Sequence, residues 1–106
     1  MRVILKSILC AGLVAALPAL AVEHQIGQKD RAFSQAEITI KLGEAIVFRN
    51  FDDVTHNVFS ITPGMEFNIR RQAPGGASKV SFSQEGVAEV RCSIHPKMKL
   101  MVTVRK

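Results

Sequence analysis

The sequence predicts an all-β fold, a two-sheet antiparallel sandwich of Greek-key type, and three observations carry that prediction. Apolar and polar residues alternate with a period of two in one segment after another, the pattern of strands buried on one face. Clusters of Gly, Pro, Asn and Asp punctuate those segments at short intervals. No segment after residue 21 keeps helical periodicity beyond a turn.

Taken in order, Val22 to Gln35 is a polar lead. Ile38, Ile40 and Leu42 then share a face opposite Glu37, Thr39 and Lys41, which predicts a half-buried strand. Gly43-Glu44 turns the chain into a second apolar strand, Ala45 to Asn50. Asn50-Phe51-Asp52-Asp53 is a loop of turn formers. Val54 to Ile61 reads as a strand, broken by Thr62-Pro63-Gly64. Phe67 and Ile69 alternate with Glu66, Asn68 and Arg70. After the loop Gln72 to Ser78, Val80 and Phe82 alternate with Lys79, Ser81 and Ser83. Gln84-Glu85-Gly86 turns the chain again, and Ala88, Val90 and Cys92 share the next inward face. Leu100, Val102 and Val104, opposite Met101, Thr103 and Arg105, close the domain. That makes roughly seven short strands, enough for a sandwich. With six Phe and neither Trp nor Tyr, its core is thin.

Residues 1–21 have the features of an export signal. Arg2 and Lys6 give a positive start, Ile8 to Leu17 an apolar run, and Ala19-Leu20-Ala21 a small-residue cleavage site. The run is too short to span a membrane. Cleavage after Ala21 leaves residues 22–106 as one small domain in the periplasm. It also removes Cys10, so Cys92 has no partner for a disulfide. An unpaired thiol in an oxidising compartment needs deep burial or a metal. The whole chain carries a formal charge of +5. Without Arg2 and Lys6 the domain is mildly basic, which favours an acidic partner surface. No basic helix or aromatic-interleaved patch points to nucleic acid.

The densest chemistry lies in Arg91-Cys92-Ser93-Ile94-His95-Pro96-Lys97-Met98. Cys92 and His95 are three residues apart, with Pro96 next, so a tight turn can aim both at one spot. Met98 can reach that spot from the far side of the loop. A second imidazole, His56, lies 36 residues before Cys92 in Thr55-His56-Asn57-Val58. Cys, two His and Met make the donor set of a mononuclear copper electron-transfer site, because thiolate and thioether suit Cu(I) and imidazole suits both oxidation states. Taken singly, each residue has an ordinary structural role: a small buried thiol, core filler, a turn histidine. Oxygen-rich calcium and magnesium sites do not match this loop. Zinc shares the liking for Cys and His, but the paired ligands of its structural sites are missing. Met101 lies opposite the apolar set of the last strand and Met65 follows a turn, so Met98 is the better thioether. His24 reads as a solvated tail residue.

These stretches resemble the cupredoxins, the blue-copper proteins of the plastocyanin and azurin group. Cys92-Ser93-Ile94-His95-Pro96-Lys97-Met98 is similar to the short C-x-x-H-P-x-M loop of amicyanin and other small methylamine-utilisation cupredoxins. Asp53-Val54-Thr55-His56-Asn57-Val58 is similar to their D-x-x-H-N-V stretch. The likeness runs from about Ile38 to Val104. It implies His56, Cys92 and His95 as strong equatorial ligands and Met98 as the weak axial one. It also implies an Asn57 N–H donating to the thiolate sulfur, and an Asn57 side chain tying the two ligand loops together, with Ser93 as its partner. His95 would present its ring edge at the surface as the electron port. Where relatives often carry an aromatic residue just before the Cys, this chain has Val90-Arg91.

The function expected is a periplasmic one-electron carrier, not an enzyme, cycling one copper ion between Cu(II) and Cu(I). It would act as a monomer between a redox donor and a redox acceptor, with Lys97 and Lys99 flanking the exposed end. The alternative is a copper-delivery protein that holds Cu(I) without electron transfer.

Overall fold

The computed structural model describes residues 22–106. The export signal expected in residues 1–21 lies outside them. Nine strands follow in order: β1 (Glu23–Lys29), β2 (Ala32–Phe33), β3 (Glu37–Lys41), β4 (Ala45–Asn50), β5 (His56–Ser60), β6 (Phe67–Gln72), β7 (Ala77–Ser81), β8 (Gly86–Cys92) and β9 (Lys99–Arg105). They form two sheets, β2-β1-β4-β7 and β3-β9-β8-β5-β6.

The expected sandwich is therefore present, with two refinements. Both sheets are mixed, because β1 runs parallel to β4 and β3 parallel to β9. The stretch read as a polar lead is itself two strands. β1 aims Ile26 and Gln28 inward, both fully buried, but Gln28 is polar and leaves a single apolar beat. His24 is accordingly a strand residue, its Nε2 2.9 Å from Glu44 Oε1 rather than free in solvent.

Alternation fills the space between the sheets. Ile26, Ile40, Ile46, Phe48, Val58, Val90, Leu100, Val102 and Val104 form the core. Phe48 stacks on Phe67 at 6.0 Å between ring centres and meets Phe33 edge-on at 6.3 Å. Burying a side chain of this kind contributes roughly 2–3 kcal/mol. Gly43, at φ +91°, makes the β3–β4 turn that side chains seldom allow.

Three features position the end of the sandwich where β5 begins and β8 ends. A buried polar lock joins the two sheets there. Gln28 Nε2 donates to Gln72 Oε1 at 2.6 Å, Gln72 Nε2 to the Phe48 carbonyl at 2.9 Å, and Asn50 Nδ2 to the Gln72 carbonyl at 3.0 Å. Gln72 in turn faces His56 across the β5–β6 ladder. The second feature is the two-residue turn Asp30-Arg31 between β1 and β2, with φ of 53° and 56°. Two positive values match the twist of a tight hairpin, a geometry usually left to Asn-Gly.

The third is a bulge in β6. Asn57 pairs with Arg71 and Phe59 with Asn68, so β6 spends one residue more than β5 over that span. Arg70 absorbs the difference at φ +59°. A non-glycine residue there costs on the order of 1–2 kcal/mol. Two bonds hold it: the Arg70 N–H donates to Asn68 Oδ1 at 2.7 Å, and Asn57 Nδ2 donates to the Arg70 carbonyl at 2.9 Å.

Candidate metal centre

β5 and β8 are hydrogen-bonded neighbours, with Val58 opposite Cys92. That register sets His56, two residues before Val58, beside the end of β8. The Cys92 side chain points inward, as its parity with Ala88 and Val90 requires, and is 1 % exposed. The chain then turns through Ser93 to Lys97, and the Met98 N–H closes the turn on the His95 carbonyl at 3.0 Å.

The result is a cluster of three donors. His56 Nδ1 lies 3.7 Å from Cys92 Sγ, His95 Nδ1 lies 3.9 Å from it, and the two ring nitrogens are 3.1 Å apart. All three atoms fall within 4.8 Å of one another. His56 is fully buried and His95 half-buried. Met98 is 2 % exposed and is not part of the apolar core cluster. Met65 belongs to that cluster, and Met101 is half-buried on the opposite face of β9.

The protonation pattern suits metal binding. His56 Nε2 is 2.9 Å from Asp52 Oδ2. An ionised carboxylate only accepts, so Nε2 carries the proton and donates. In the neutral ring Nδ1 is then bare and turned toward Cys92 and His95. Asp52 stays ionised easily. The Arg31 backbone N–H, at 2.9 Å, and the His56 ring hold its carboxyl well below the usual range. Burial, with the Arg31 charge acting the same way, lowers the His95 imidazole below its ordinary value and favours the neutral ring. A carboxylate behind a ligating histidine fixes the ring's orientation and raises its basicity. Two imidazoles and one thiol sulfur, brought together at a largely buried point, fit a soft-to-borderline metal such as copper.

The neighbouring bonds tie the two loops. The Asn57 N–H points at Cys92 Sγ, 3.4 Å away, and Ser93 Oγ donates to Asn57 Oδ1 at 2.6 Å. Asn57 Nδ2 also donates to Asn68 Oδ1 at 2.9 Å, so one side chain joins β5, the β6 bulge and the late loop. Arg91, just before Cys92, donates from its guanidinium to the Pro96 carbonyl at 2.8 Å and braces the loop from outside. Asp52 and the backbone of Arg31 are site residues that sequence reasoning missed. The available signal was the spacing of four residues between Asp52 and His56.

Comparison with known proteins agrees with this geometry. The model of the family described as copper binding proteins, plastocyanin/azurin family, matches residues 20–105. The chain is 30% identical over 97 residues to the methylamine utilization protein MauL of Methylorubrum extorquens, covering 91% of this chain and 85% of that protein. It is 32% identical over 98 residues to the chloroplastic plastocyanin of Fritillaria agrestis, covering 80% of this chain and 59% of that protein. Among solved structures, amicyanin from Paracoccus versutus superposes with a TM-score of 0.69 at 29% identity, covering 85% of this chain and 86% of that one.

Proposed function

Because the chain belongs to the plastocyanin/azurin family of copper-binding proteins, we propose that it is a periplasmic blue-copper protein carrying single electrons between redox partners. The observation that carries this reading is the convergence of His56 Nδ1, Cys92 Sγ and His95 Nδ1 within 4.8 Å. In this reading those three residues hold the metal and Met98, the thioether next along the loop, is the weak fourth ligand. Bound there, copper supplies a one-electron couple between Cu(II) and Cu(I).

The protein's own part is to keep the donors still. Asp52 fixes the His56 ring, the Asn57 N–H stabilises charge on the sulfur, and the Asn57–Ser93 bond prevents the two loops from parting. A site rigid in both oxidation states has little to reorganise when an electron passes. Burial of Cys92 and Met98 leaves a substrate no access, which favours carriage over turnover. The same burial argues against metal delivery, which needs donors an acceptor can reach. The half-buried His95 is the donor nearest the surface and the natural exit for the electron. An export signal in residues 1–21, together with a lone, shielded thiol, supports periplasmic residence.

Adding Cu(II) to the purified protein tests the reading. An intense absorption in the orange-red, narrow copper hyperfine coupling in EPR and reversible voltammetry are expected, and Cys92→Ser removes the colour because the thiolate is its source. A colourless complex, or metal that passes at once to a competing chelator, would overturn it.

A further inference from the structure

Two shallow hollows flank the metal end and share one residue. Arg31, Ile94, His95 and Lys97 are on one, and Arg70, Arg71, Ser93 and Ile94 on the other. Ile94 is thus an apolar ridge between them, 49% exposed, next in the chain to the half-buried His95. The four cations around the ridge are all exposed. Among the described residues none of them has a carboxylate within ion-pair distance, whereas Lys79 at the far end and Arg91 beneath the late loop do. No carboxylate lines either hollow. Asp52 is turned inward on His56, and Asp30 and Asp53 stand at this end outside both hollows.

Four glutamates stand away from this face, at the end that also carries Lys41 and Arg105. β1, β4, β6 and β8 all run toward the metal end, and Glu23, Glu44, Glu66 and Glu85 begin or immediately precede them, at the opposite end. The bulge sharpens the arrangement. A regular strand would turn one of two consecutive residues inward. The left-handed Arg70 instead leaves Arg70 and Arg71 both in solvent beside the site. Strain held at such a place, by two dedicated hydrogen bonds, points to use rather than accident.

We infer that the Ile94 ridge with Arg31, Arg70, Arg71 and Lys97 is the docking face for a redox protein whose own surface is acidic around a small apolar hollow. The inference rests on the electron-carrier reading. Opposite charge steers the encounter, and desolvation of Ile94 holds the pair with the His95 edge at the contact.

The test follows oxidation of the reduced, copper-loaded protein by hexacyanoferrate(III), an anion, and by tris(phenanthroline)cobalt(III), a cation, across ionic strength. Each reaction takes one electron from the protein. The anion's rate should fall steeply with salt and the cation's should not. Arg70→Gly, which suits the positive φ and so keeps the fold, and Arg71→Gln should each lower the anion's rate at low salt by roughly threefold or more. Lys41→Gln, an equal charge change at the far end, should leave it unchanged. Equal effects from all three variants would reduce the matter to net charge and overturn the inference. Exchange with neither oxidant would instead sink the carrier reading. The docking face is then judged separately, by NMR titration with hexaglutamate. Amide shifts centred on residues 70, 71 and 94–97 would uphold an acidic partner, and absent or scattered shifts would refute it.

Discussion

Asn57→Ala tests the joint on which the site depends. The side chain accepts from Ser93 Oγ at 2.6 Å and donates to Asn68 Oδ1 and the Arg70 carbonyl, both at 2.9 Å. Each bond is worth about 1 kcal/mol net, so the three together come to ~3 kcal/mol. Ser93 and Asn68 are exposed and can rehydrate, which brings the expected loss to ~2–3 kcal/mol. For a domain of this size that lowers Tm by roughly 10–20 °C. The assay is urea unfolding of the metal-free protein, where the midpoint should fall with an unchanged slope. Because the contact to Cys92 Sγ comes from the backbone N–H, the variant should still bind copper and keep its colour. A double-mutant cycle with Ser93→Ala should show coupling between the two sites. A loss below ~0.5 kcal/mol, or strict additivity in the cycle, would refute the reasoning.

Three further outcomes are expected. Met98→Gln should retain copper while lowering the reduction potential, and Met101→Gln, on the other face of β9, should leave it unchanged; voltammetry of both variants decides between them. Phe48→Ala empties the centre of the core and should cost ~3–5 kcal/mol by urea unfolding, and a value under ~1 kcal/mol would deny Phe48 its central place. Glu44 accepts from the Lys41 N–H at 2.8 Å and meets His24 at 2.9 Å, which lowers its carboxyl below the ordinary range. A carboxyl lowered in the folded state contributes stability that is fully present above the unfolded carboxylate range and is lost as pH falls toward and through the lowered folded value. Glu44→Gln should therefore flatten the loss of Tm between neutral pH and about pH 3, and parallel profiles would count against it.

Most strands were legible because their inward residues are branched or aromatic, as in β4, β8 and β9. β1 was not, since a buried glutamine leaves no apolar signal and its partner Gln72 is 44 residues away. The bulge at Arg70 was hidden for a different reason. Phe67 and Ile69 alternate cleanly with their neighbours, and no glycine marks the left-handed position. At the site, Cys, His and Met spacing singled out four side chains, and the structure brings His56, Cys92 and His95 together, with Met98 buried at the end of the same loop. Asp52 looked like a turn former, because a carboxylate in a loop reads as solvated until the fold shows what it faces. The parallel pairings were equally invisible, since period-two patterning tells which face is buried and not which way a neighbour runs.

The late loop separates its two audiences. Its base is clamped where Arg91 pairs with Lys99, and between them Cys92 and Met98 face the interior while Ser93, Ile94 and Lys97 face water. Ile94 and Lys97 are therefore free to change to court a new associate while the inward chemistry stays untouched, whereas Ser93, bonded to Asn57, is not. One short hairpin thus carries both the part that must stay fixed and the part that is free to vary.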